Sequence, residues 1–167
     1  HSLQYMKVID YIGGFVEKGI ESFSEEYRLA AAVVIILWVS AIASAFIDNI
    51  PYTATMIPIV LSLSVELSLD LGPLIWALAF GACLGGNGTL IGASANVVTA
   101  GLSEEAGYPI SFNEFFKAGF PVMLLSTFIV TFYMVLVYVV GGEDGGTTWK
   151  IALTCIALIG ILSLIHI

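Results

Sequence analysis

The amino-acid sequence predicts an all-α polytopic membrane protein. Hydrophobic residues fill 59% of the 167 positions and charged residues only 11%, and the mean hydropathy is +1.00, well outside the averages of soluble domains. The apolar residues gather in runs that approach the length of a bilayer crossing. Two of these regions are interrupted by short polar or glycine-rich stretches, Asp48-Asn49-Ile50-Pro51 and Gly85-Gly86-Asn87-Gly88-Thr89.

Residues 1–29 form the first element. Val8, Ile9, Ile12, Phe15, Val16, Ile20 and Phe23 recur at helical intervals, with Lys7, Asp10, Glu17, Lys18 and Glu21 between them. This is the pattern of an amphipathic segment lying along a membrane interface, with a packed soluble helix as the alternative.

Residues 30–66 read as two apolar helices joined by a tip at 47–53. The run 30–47 carries no charge, and at about 1.5 Å per residue it extends roughly 27 Å, close to the thickness of the hydrocarbon core. After a weakly polar connector, residues 74–102 are too long for one simple span. Each glycine within them lowers helix stability by up to about 1 kcal/mol relative to alanine, so a broken transmembrane helix, unwound near 85–89, is expected. A polar loop at 103–118, carrying Glu104, Glu105, Asn113, Glu114 and Lys117, leads to a transmembrane helix at 119–140. A Gly-rich loop at 141–148 and an apolar tail at 149–167 close the chain, the tail reading as a truncated span or a foreign extension. With no initiator methionine and no signal-peptide pattern, the whole reads as a fragment.

Composition excludes several classes of function. The formal charge of −8 comes largely from acids in the polar connectors, and five Lys plus Arg form no basic patch, so nucleic acid is not expected as a partner. Cys83 and Cys155 sit in apolar runs far apart, and His1 and His166 lie at the chain ends. The cysteines therefore read as packing residues, with no zinc or Cys-His chemistry. No Ser-His pair or paired acid supports a hydrolase, and no enzyme activity is expected. Lys7, Lys18 and Arg28 are diluted by acids, so charge does not orient the chain.

The two interruptions are the candidate sites, because irregular backbone inside hydrocarbon survives only where it is buried in protein or lines a wet cavity. Asp48 to Pro51 fits two readings. One is a tight surface turn in which Asp48 or Asn49 caps the next helix and Pro51 occupies its first turn. The other is a re-entrant hairpin with its tip near the midplane, where an ionisable group is costly and by default functional.

The second interruption, GGNGTLIGASAN, matches an N-glycosylation pattern at Asn87-Gly88-Thr89, but its apolar flanks rule out an accessible lumenal loop. It lacks the lysine of a phosphate-binding loop. Gly81 with Gly85, and Gly88 with Gly92, fit a small-residue helix-packing pattern. An unwound stretch here would offer Asn87, Thr89, Ser94 and Asn96 to an ion or solute, as discontinuous helices do in secondary transporters. Packing glycines with satisfied polar groups are the plainer alternative.

At these residues a family resemblance emerges. WVSAIASAFIDNIPYTATMIPI followed by ACLGGNGTLIGASANVVTAG resembles the ion transporter superfamily, particularly the P protein, arsenite pump, sodium/proton antiporter and citrate transporter-like families. The resemblance implies the second of two inverted repeats, with a re-entrant helical hairpin facing a broken transmembrane helix. It implies a secondary active transporter moving a small ion or solute, in which Asp48, Asn49 and Thr53 of the tip and Asn87, Thr89, Ser94 and Asn96 of the break bind substrate or ion. Pro51, Gly85, Gly86 and Gly88 would permit the breaks, and Asp48, Asn49 and Asn87 would form a candidate sodium site.

Related dicarboxylate transporters carry Ser-Asn-Thr at such a tip, where this chain has Asp48-Asn49-Ile50. A carboxylate there disfavours an anionic substrate and favours sodium or a proton as coupling ion. No cofactor beyond a bound sodium ion is expected. The partners implied are the lipid bilayer, the missing N-terminal repeat and a second copy in a homodimer. The resemblance also implies an organelle membrane, melanosome-like or endolysosomal, and a role in organelle pH and pigmentation. The alternatives are an anion channel-like pathway, whose ring of basic residues is absent, and a non-transporting membrane assembly subunit.

Overall fold

The structure is a computed structural model that describes residues 14, 16 and 18–140. The expectations for the start of the amphipathic segment, the Gly-rich loop and the apolar tail lie outside the described residues. The described residues form five principal helices and no strand: α1 Glu25–Ser44, α2 Asn49–Glu66, α3 Leu71–Gly85, α4 Ser94–Glu105 and α5 Phe112–Val135, which continues as a π-helical turn at Leu136–Val140. Two stretches, Tyr27–Ser44 and Phe112–Tyr138, are long and apolar enough to cross a membrane.

Most of the boundaries move from the sequence reading for local reasons. The helix expected at 30–47 begins at Glu25, because Glu25 and Arg28 are compatible with an exposed first turn. The helix expected at 119–140 begins at Phe112. A capping box explains this: Ser111 accepts from the Glu114 amide at 3.3 Å, while the Glu114 carboxylate accepts from the Ser111 amide at 2.9 Å. Much of the polar loop expected at 103–118 is therefore helix. In the amphipathic segment, Val16 and Ile20 are buried in the main core, while Lys18 and Glu21 face outward.

Small residues hold α1 and α3 together. A side chain on Gly81 would come within 2.5 Å of the Leu37 carbonyl, and one on Gly85 would overlap the Ala41 carbonyl. Glycine at these positions lets the two backbones approach closely, as membrane helices require when no hydrophobic effect drives their contact. Polar ties fasten the other helices. The Tyr52 hydroxyl donates to Ser40 at 3.2 Å from α2, and the Trp38 indole donates to Thr131 at 3.0 Å on α5. Around these ties Ile36, Leu37, Leu63, Leu74, Leu78 and Met134 form a close-packed apolar core.

Two helix ends share one motif. After α2, the Ser68 amide donates to Val65 and the Leu69 amide to Ser64, with Ser68 at φ 52°. After α4, the Gly107 amide donates to Glu104 and the Tyr108 amide to Ser103, with Gly107 at φ +88°. Both are Schellman ends. In each, the serine at the start of the motif also donates its hydroxyl onward, Ser64 to the Leu69 carbonyl and Ser103 to that of Tyr108.

Candidate functional site

Two breaks in the helical chain meet at one place. The first is the connector 45–48 between α1 and α2, and the second is the stretch 86–93 between α3 and α4. The second break covers more than the expected 85–89, because Gly85 completes α3 and α4 does not start until Ser94.

Asp48 is the N-cap of α2: its Oδ1 accepts from the Ile50 amide at 3.1 Å. Aspartate is suited to this, since an acceptor is needed for a free amide at the helix start. Its other oxygen, Oδ2, accepts from the Ser94 hydroxyl at 2.6 Å, 46 positions further along the chain. Ser94 is the first residue of α4, so the positive ends of two helix dipoles converge on one carboxylate.

Behind this pair the backbone of each break is satisfied by side chains of the other parts. Thr89 is fully buried and donates its hydroxyl to the Ala45 carbonyl. Ser44 donates to the Ala82 carbonyl at 2.7 Å. Asn96 reaches back from α4 to donate to the carbonyls of Gly86 at 2.8 Å and Thr89 at 3.1 Å. Gly92 is needed here, because a side chain would come within 2.9 Å of the Ala45 carbonyl. Gly88 and Gly92 lie in the break, so the helix-packing pattern expected for them gives way to close packing of an irregular loop against Ala45.

The depth of the meeting point follows from the register of α1 against α5. Trp38 bonds to Thr131, and Ala45 packs with Met123, so the two helices run antiparallel. Counting from Ser111 at about 1.5 Å per residue, Gly119 lies about 12 Å, Met123 about 18 Å and Thr131 about 30 Å along α5. The Asn87 carbonyl abuts Gly119 so closely that a side chain there would overlap it. Both breaks are thus level with the first half of α5, rather than with either of its ends.

The structure brings Asp48, Thr89, Ser94 and Asn96 together. Asn49 and Thr53 lie half-buried on the first turns of α2, beside them. Asn87 is placed differently: it lines a cavity of about 530 Å³ with Ile110, Glu114, Phe115, Ala118, Gly119 and Val122, on the α5 side of the break. The candidate sodium set of Asp48, Asn49 and Asn87 is thus divided, since Asp48 pairs with Ser94 while Asn87 faces α5. Among the described residues no group of three or more His, Cys, Asp or Glu side chains could hold a metal ion. Oxygen atoms at the tip do suit a hard monovalent cation: the Asp48 carboxylate and the Ser94 hydroxyl lie together. Cys83, expected to be an inert packing residue, is exposed on α3; Cys155 lies outside the described residues.

Sequence reasoning missed Ser44, Ala45 and Glu114. The run Ser40-Ala41-Ile42-Ala43-Ser44-Ala45 does carry a signal, small residues at helical spacing, which is what a helix facing Gly81 and Gly85 requires. Glu114 was counted with the polar loop, where its capping role hid its place beside Asn87.

The citrate transporter family model matches residues 1–81. The P proteins of Sus scrofa and Homo sapiens are each 54% identical over 143 residues, covering 84% of this chain. A 46 kDa membrane protein of Mycobacterium leprae is 47% identical over 110 residues, 65% of this chain and 26% of that protein. The chain spans 17% of the length of the P proteins it matches. No solved structure matches.

Proposed function

Because the chain belongs with the P proteins among the citrate-transporter-like membrane proteins, we propose that it is part of a secondary active transporter that moves a small ion or solute across a bilayer. The single observation that carries this reading is the Asp48–Ser94 pair, a carboxylate shared between the starts of α2 and α4. A transport site has a use for this link, because a mobile tip and a broken helix must be held in register while solute is bound and must part for it to leave.

In this reading α1, the tip and α2 form the re-entrant hairpin of the second repeat, and 86–93 is the unwound region facing it. Asp48 and Ser94 carry the coupling ion, with Asn49, Thr53 and Asn96 around them. Thr89 holds the break against the tip through Ala45. The coupling ion is sodium or a proton. A sodium ion would be held by the Asp48 carboxylate and the Ser94 hydroxyl, and it would supply charge neutralisation only. Pairing with a first repeat, a homodimer, and a role in organelle pH and pigmentation are carried by the resemblance alone.

The test is thiol labelling at the tip. Ile50 is 75% exposed beside Asp48, so a single cysteine there, in an otherwise cysteine-free full-length protein, should react with membrane-impermeant reagents slowly and in a sodium- or pH-dependent way. Rapid, sodium-independent labelling only from the side opposite Arg28 would identify a surface turn and remove Asp48 from the mechanism.

A further inference from the structure

The cavity lined by Asn87 and Glu114 has no part in the Asp48–Ser94 arrangement. Glu114 comes from the first turn of α5 and Asn87 from the middle of the break, and the remaining lining residues Ile110, Phe115, Ala118, Gly119 and Val122 are apolar or small. It is an open groove rather than an enclosed pocket, and its volume of about 530 Å³ is far larger than a bare ion needs.

The polar equipment is specific in sign. Glu114 uses Oε2 to accept from both the amide and the hydroxyl of Ser111, at 2.9 and 2.7 Å. Two donors on one oxygen orient the carboxylate and leave Oε1 free of Ser111. Asn87 is exposed toward the cavity, and its backbone is pinned from behind by the Leu84 carbonyl at 3.1 Å and by the close approach of Gly119. Lys117, one turn further along α5, acts on the Glu114 carboxylate electrostatically but does not line the groove. One oriented carboxylate, one amide and apolar walls match an organic cation, a protonated amine with an apolar body.

We propose that this cavity is a binding site for a small protonated amine, with Glu114 as its counter-charge and Asn87 as its hydrogen-bonding partner. The site does not depend on Asp48. A ligand seated there touches the break at Asn87.

The test uses the full-length protein in proteoliposomes, made cysteine-free except for Val122→Cys. Its labelling by a cationic trimethylammonium-ethyl thiosulfonate and by an anionic sulfonatoethyl thiosulfonate is measured, each rate normalised to that of a free thiol in water. One unit charge within several ångströms at intermediate dielectric should favour the cationic reagent about fivefold or more. Glu114→Gln should bring the ratio to about one, and Glu114→Asp should largely restore it. Benzylammonium should slow labelling with Glu114 present and have no effect in Glu114→Gln. Absence of labelling at both Val122→Cys and Ala118→Cys, or a ratio indifferent to Glu114, would overturn the proposal. Because no transport is measured, a failure here is separate from a failure of the transporter reading, and sodium dependence at Ile50 would stand unaffected.

Discussion

Asp48 and Ser94, 46 positions apart, join the starts of α2 and α4 through a 2.6 Å hydrogen bond. The chain contains its own control for this pair. Asp70 is the N-cap of α3 and accepts from the Gly72 amide at 3.2 Å, and its segment Asp70-Leu71-Gly72-Pro73 has the same aspartate-to-proline spacing as Asp48-Asn49-Ile50-Pro51. Both aspartates cap a helix, and Asp48 also braces a second one.

Replacing Asp48 by asparagine retains an N-cap side chain and removes the charge. Transport by the full-length protein should fall about tenfold or more, or its pH profile should shift, the scale expected when a charged ligand group is lost. Asp70→Asn should leave transport within about twofold, as an exposed cap exchange does. Equal behaviour of the two variants in a flux assay would reduce Asp48 to a cap.

Thr89 is fully buried and donates to the Ala45 carbonyl. Thr89→Val keeps the shape but leaves that carbonyl without its partner, at a cost of about 1–3 kcal/mol. The purified protein should melt several degrees lower in detergent, and Thr89→Ser should recover most of the loss. A Thr89→Val protein as stable as wild type would mean that water or another donor reaches Ala45.

Gly85 and Gly101 should respond in opposite ways to alanine. At Gly85 the new methyl would overlap the Ala41 carbonyl, which is backbone and cannot swing aside, so a loss of about 1–3 kcal/mol is expected. At Gly101, inside α4, nothing lies within 4 Å, and alanine should be neutral or stabilising by up to about 1 kcal/mol. Thermal melting of the two variants side by side checks both.

Ser68 sits at φ 52° in the position that Gly107 occupies in the other Schellman end. A non-glycine residue there costs about 1–2 kcal/mol, so Ser68→Gly should raise stability by roughly 1 kcal/mol after the added chain entropy is subtracted. Unchanged melting would show that the surrounding turn already compensates for the strained backbone.

Much of this architecture was written in the chain. Composition and run length determined a helical membrane protein, because only the closed hydrogen bonding of a helix satisfies so apolar a backbone in lipid. The glycine density of 85–92 and the acid, amide and proline of 48–51 located both breaks, since each lowers helix stability locally regardless of what packs nearby. What remained open was which polar groups meet. Asn87 and Ser94 are equally polar and equally close to the second break, yet Ser94 faces Asp48 and Asn87 faces Glu114. That choice was made by tertiary packing: Gly81 and Gly85 set how closely α3 lies on α1, Gly119 set how closely the break lies on α5, and the irregular path between them turned one side chain toward the tip and the other away. Local spacing cannot encode it, because irregular backbone has no fixed period and its direction depends on the helices it is pressed between.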